Sequence, residues 1–149
     1  MLEYLLVINM LIIRKVLDYN LKEELCKECG VPSYENSMAY LAIESDTPEA
    51  YEYEKLALLQ FSLKGTVAYI NQITTFPNIV DNEALIIMSR AAMEFIYRAM
   101  GFSILKIEDN PYTMKILIET LGFRRDENGV YSIDLAKFFE EPCKFNPDE

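Results

Sequence analysis

The sequence predicts an α/β fold, an α+β mixed sheet with helices on both faces. Two observations carry this. First, two helical runs end on glycine and pass at once through phenylalanine into a strand, at Met100–Gly101–Phe102 and Leu121–Gly122–Phe123. A helix that turns sharply into a buried strand needs a residue of positive φ just past its end, and glycine adopts that conformation without a Cβ clash. Second, strand and helix alternate in the C-terminal half after a run of strands that reads as an antiparallel meander.

The elements follow in order. The opening "MLEYLLVINMLIIRKV" is β-rich and reads as one or two strands, with residues 1–9 as an N-terminal extension. It is too short for a membrane span and carries Glu3 and Asn9. No positive residues precede it and no small-residue cleavage site follows, so it does not read as a signal peptide. "DYNLKEELCKECG" starts on cap-forming Asp18 and Asn20 and stops at Gly30, which marks a helix. "SMAYLAIES" alternates as a strand does, and "DTPEAYEYEK" is an acidic loop. "LALLQFSLKGTVAYINQITTF" reads as two strands joined at Gly65.

The long helix "DNEALIIMSRAAMEFIYRAMG" has Asp81 or Asn82 as its cap, Glu83 in its first turn and Gly101 at its end. Met88, Ala92, Phe95 and Ala99 share one face, widened by Ile87, Ala91 and Ile96, so it is largely buried. "FSILKIE" is a strand. "NPYTMKILIETLG" predicts a helix with Asn110 as cap, Pro111 in its first turn and an apolar stripe of Met114, Leu117, Ile118 and Leu121. "FRRDENGVYSIDL" is a hairpin turning at "ENG", and the tail sets Phe138 or Phe139 against the domain before residues 141–149 fray. The whole of 1–149 reads as one domain, which suits a single core.

Composition narrows the chemistry. The chain has no histidine, which excludes Ser-His-Asp and Cys-His catalysis, a histidine base and histidine-ligated zinc. A formal net charge of −10 argues against nucleic acid and anionic membranes as partners. Cys26 and Cys29 have the spacing of half a zinc site or a redox pair, but only Cys143 and a carboxylate remain to complete a metal site. The simpler reading is two reduced thiols near a helix end, and a cytoplasmic protein with no metal.

With these elements in this order, the stretch from Ser37 to Leu135, and most strongly from Ala84 to Leu135, resembles the GNAT family of acetyl-CoA-dependent N-acetyltransferases. The resemblance implies a GNAT-like acyl-CoA N-acyltransferase fold, with acetyl-CoA lying between the splayed fourth and fifth strands, here "TVAYINQITTF" and "FSILKIE". It implies contacts, through backbone or cleft positions, at Thr74, Thr75, Asn82, Glu83, Ala84, Leu85 and Asn110. Tyr112 is the catalytic candidate on the following helix. The acceptor would be a small amine or a peptide amine, and the "KFFEEPCKF" tail would offer a surface for a homodimer.

The family's phosphate loop has the form Arg/Gln-x-x-Gly-x-Gly/Ala before the long helix. Here it falls on Asp81-x-x-Ala84-x-Ile86 or on Val80-x-x-Glu83-x-Leu85, and neither register contains glycine. The fourth strand offers Tyr69, Asn71, Gln72, Thr74 and Thr75 but no carboxylate base, and Ile118 stands where many members place a tyrosine. Transfer by positioning alone is still chemically feasible, with backbone N–H groups of the fourth strand polarising the thioester. The alternative is a catalytically silent GNAT-like domain that binds a partner or another ligand.

Overall fold

The computed structural model describes residues 9–113 and 116–140. A seven-stranded mixed sheet runs in the order β1-β2-β3-β4-β5-β7-β6. Its strands are β1 (Met10–Val16), β2 (Met38–Ser45), β3 (Glu54–Lys64), β4 (Val67–Thr75), β5 (Ile104–Ile107), β6 (Arg124–Arg125) and β7 (Tyr131–Asp134). Among the described strand pairs, β4–β5 is parallel and the others are antiparallel. Two helices matter most for position: α1 (Tyr19–Cys29) on one face, and α2 (Asn82–Glu94), which continues as a π-helical turn (Phe95–Ala99), on the other. The short α3 (Ile116–Leu121) and α4 (Leu135–Glu140) follow.

Each face has its own core. On the α1 face, Leu25, Cys26 and Cys29 pack on Leu41, Ile43, Leu58 and Phe76. On the α2 face, Leu85, Met88, Ala92 and Ile96 pack on Leu59, Phe61, Ile70 and Ile73. Burying such side chains stabilises by about 1.5–3 kcal/mol each, so the two cores hold the sheet between its helices. The buried stripe of α2 also takes in Ala84 and Met93, while Ile87 is exposed, as is Ala99 in the π-helical turn; the predicted face is shifted by part of a turn.

Both glycine junctions behave as their chemistry requires. Gly101 and Gly122 have φ of 77° and 88°. After α3, the Phe123 N–H bonds the Ile118 carbonyl, the six-to-one bond of a helix closed by a left-handed residue. After α2, the Phe102 N–H reaches one residue further back, to Ile96, because the π-helical turn adds a residue to the last loop of backbone. Phe123 is buried, and Phe102 packs against the same core.

Two expectations change. The helix predicted from Pro111 does not include 111–113: Asn110–Thr113 is a turn, and described helix resumes at Ile116. The tail gains a helix, α4, in which Phe139 stacks on Tyr97 with ring centres 5.8 Å apart. Part of the proposed dimer surface therefore packs against its own domain, and the rest of that tail lies outside the described residues. Of the predicted α3 stripe, Ile118 and Leu121 are buried, and Met114 lies outside the described residues.

Candidate functional site

The site begins at a defect in β4. Gln72 opposes Gln60 and Ile70 opposes Phe61, so Asn71 is an extra residue with no partner on β3. Such a bulge bends its strand and sharpens the local twist. β5 pairs with Val67–Ile70 and stops at the bulge, so Gln72–Thr75 has no partner in β5. The V that the sequence resemblance implied would open here, past the end of the β5 pairing.

The V is not open along its length. The Ile73 N–H donates to the Tyr112 carbonyl at 3.1 Å, and Ile73 and Thr113 form an isolated parallel bridge. Asn110 Nδ2 donates to the Asn71 carbonyl at 2.6 Å, while Asn110 Oδ1 accepts from the Tyr112 N–H at 2.9 Å. The physical reason is local. Past the bulge, β4 has lost β5, and a buried backbone N–H needs an acceptor. The turn after β5 supplies it, and that is why Asn110–Thr113 is not helical.

Beside the V lies a cleft of about 580 Å³. Tyr69 of β4, Glu108, Thr113, Ile118 and the hairpin residues Arg125 and Tyr131 line it. The hairpin is fixed by Asp126: the Val130 N–H first, then the Asn128 N–H and Lys106, hold its carboxyl below the usual carboxylate range. The Arg125 guanidinium sits 4.9 Å from the Tyr131 ring centre. Asp109 also lines the cleft, next to Glu108. These two carboxylates, with Arg125 and Tyr131, were not singled out in the sequence; "IED" directly after a strand that ends at a cleft was the available signal.

A buried polar network shapes the other side of the V. Gln60 and Gln72 are fully buried. Gln60 Nε2 donates to the Pro32 carbonyl at 2.9 Å and to Gln72 Oε1 at 2.8 Å, and its Oε1 accepts from the Tyr34 N–H at 3.0 Å. Lys22 Nζ donates to the Tyr34 and Ser37 carbonyls at 2.5 and 3.1 Å. Together they pin the 32–37 loop. Burial first, then the charge of Glu108, push the Tyr34 phenol up.

The predicted site residues divide between these regions. Tyr112 and Asn110 form the turn in the V. Thr74 turns away from it, its hydroxyl 3.3 Å from Cys29 Sγ and accepting from Gln72 Nε2 at 2.9 Å. The Thr75 carbonyl lies 3.6 Å from the same sulfur. Burial pushes both the Cys26 and Cys29 thiols up, keeping them protonated, and among the described residues no Cys/Asp/Glu group is placed to hold a metal; Cys143 lies outside those residues.

At the start of α2 the Ala84 N–H bonds Asp81 Oδ1 at 3.0 Å and the Leu85 N–H bonds the Asp81 carbonyl at 3.3 Å. Asn82 and Glu83 are exposed there. A hollow of about 220 Å³ at this helix end is lined by Glu44, Asp81 and Glu83. Two of the backbone donors at this helix start, those of Ala84 and Leu85, are thus taken by Asp81, and three carboxylates line the hollow beside them.

The burial of Lys22 gives a testable pH dependence. Desolvation lowers its pKa in the folded state, so between that value and the ordinary 10.5 the unfolded chain binds more protons. Stability contributed by this residue therefore rises with pH across that window and is lost as pH falls through the folded pKa. The unfolding free energy of wild type minus that of Lys22→Met, measured by urea denaturation from pH 7 to 10, is expected to climb. A flat difference would refute the assignment.

No family model matches the chain and no curated protein is a significant sequence match. Solved structures do match. The spermidine/spermine N-acetyltransferase SpeG of Vibrio cholerae aligns at TM-score 0.65 with 11% identity, covering 89% of this chain and 96% of that one. A KacTA complex with DNA aligns at TM-score 0.63 with 14% identity, covering 91% and 99%. A dodecameric form of the V. cholerae spermidine enzyme aligns at TM-score 0.60 with 11% identity, covering 89% and 98%. At these identities the likeness establishes the fold: the chain has the architecture of GNAT acetyltransferases. Among the described residues no helix is long and apolar enough to cross a membrane.

Proposed function

We propose that this protein is an N-acetyltransferase that moves an acetyl group from acetyl-CoA to a small amine. The observation that carries this reading is the bulge at Asn71, where the β5 pairing of β4 ends, beside a cleft of about 580 Å³. Past the bulge the edge of β4 is met by a short turn instead of a full strand, and such an edge suits an extended ligand. Glu108 and Asp109 beside the mouth favour a cationic acceptor, and the net charge of −10 favours cations over nucleic acid or anionic membrane. The reaction is attack of a neutral amine on a thioester. Positioning, with solvent taking the proton, supplies the rate.

A second reading has its own observation. The acidic, self-capped start of α2 disfavours a pyrophosphate, which supports a silent domain that binds a different ligand on the same fold. One measurement separates the two. Acetyl-CoA is titrated calorimetrically with CoA as control, and thiol release is followed with spermidine as acceptor. Weak but saturable binding with thiol release is expected. No heat at millimolar acetyl-CoA would sink the enzyme reading and leave the silent one.

A further inference from the structure

The edge of β4 at and beyond the bulge is paired by the stretch of chain that follows β5. The Ile70 carbonyl accepts from the Glu108 N–H at 3.0 Å, the Asn71 carbonyl from Asn110 Nδ2 at 2.6 Å, and the Ile73 N–H donates to Tyr112 at 3.1 Å. These are successive edge groups of one strand, the groups that an added strand or an extended amide-bearing ligand would use. We propose that Asn110–Thr113 is an internal plug that occupies the ligand cleft, and that an extended chain enters only when this turn releases β4.

Asn110 is the latch. One end of its amide holds β4 and the other holds the turn in shape, since Oδ1 accepts from the Tyr112 N–H and is 3.4 Å from Thr113 Oγ1. The side chain of the bulge residue itself is only partly bonded. Asn71 is 4% exposed, its Nδ2 donates to Ser62 Oγ at 3.0 Å, and its Oδ1 is buried with no donor. The closed form is thus held by a few hydrogen bonds, as a releasable element requires. A ligand that binds only the open form has its apparent affinity reduced by the open fraction.

The proposal takes the nature of the entering chain from the acyltransferase reading, so its test avoids the phosphate end. Pantetheine is the probe: it carries two amides and a thiol arm but no phosphate, and the carboxylates of α2 do not repel it. Full-length protein is compared with Asn110→Ala and with Asn110→Asp, which keeps the acceptor and loses the donor. Hydrogen exchange is read at the Ile73 amide, with Leu58 and Leu59 amides as the check that the core is intact.

The wild-type Ile73 amide is expected to be protected and to exchange about tenfold faster in both variants, with the core amides unchanged. Pantetheine affinity is expected to rise about fivefold, the effect of removing one hydrogen bond from the closed state. An unprotected Ile73 amide in wild type overturns the proposal. So does faster exchange without tighter pantetheine binding. Acetyl-CoA failing to bind while pantetheine gains affinity would count against the function proposed above and in favour of the plug.

Discussion

Gln60→Leu is expected to lower unfolding stability by about 3 kcal/mol or more, although leucine fits the volume and suits a core. The residue is fully buried and bonds Pro32, Tyr34, Ser37 and Gln72 at once. Removing it orphans the Tyr34 N–H, the Pro32 carbonyl and Gln72 Oε1, and each unsatisfied buried group costs about 1–3 kcal/mol. Burial of the leucine offsets about 2 kcal/mol of that sum. For a domain of this size, 3 kcal/mol corresponds to a midpoint about 6–12 °C lower. The double variant Gln60→Leu/Gln72→Leu should lose less than the sum of the two singles, because an apolar pair replaces a bonded pair. Chemical denaturation of the three variants checks this. A loss below about 1 kcal/mol for Gln60→Leu would mean that the network is not made as described.

This network ties the 32–37 loop to β3 and, through Gln72, to β4 past the bulge. It also shows what a sequence discloses. The junction at Gly122 was legible because only glycine suits its φ of 88°, and the cap at Asp81 was legible because a helix start has a local signature. The absence of loop glycines was legible for the same reason. The faces of β4 were not. Alternation along a strand flips at a bulge, so Thr74 turns toward Cys29 while Ile73 joins the α2-face core. Nothing local to "YINQITT" announces that Asn71 is the extra residue. The turn at Asn110–Thr113 was hidden likewise. Its Asn-Pro start suits a helix, and the competing pull is a β4 edge nearly forty residues earlier, through the 39-residue separation of Asn110 and Asn71.

Asp81→Asn with Glu83→Gln is expected to tighten acetyl-CoA binding about tenfold at low ionic strength. A carboxylate at a helix N-terminus interacts with the helix dipole by about 0.3–1 kcal/mol, and a phosphate arriving there meets repulsion of at least that size from each. Two such groups removed give about 1–2 kcal/mol, hence the tenfold figure. The fold should hardly notice, because asparagine caps a helix as well as aspartate does and its Oδ1 can keep the Ala84 N–H bond. Glu44 stays in place and keeps part of the repulsion, so Glu44→Gln added to the pair should give a further, smaller gain. Salt provides the control. Exposed charges are screened within about 10 Å at 0.1 M and about 3 Å at 1 M, so the gain should shrink at high salt. Calorimetry of wild type and variants at both salt levels reads this directly. A gain that survives 1 M salt, or none at low salt, would mean that these carboxylates are not what weakens the site, and the plug in the V would then be the larger barrier.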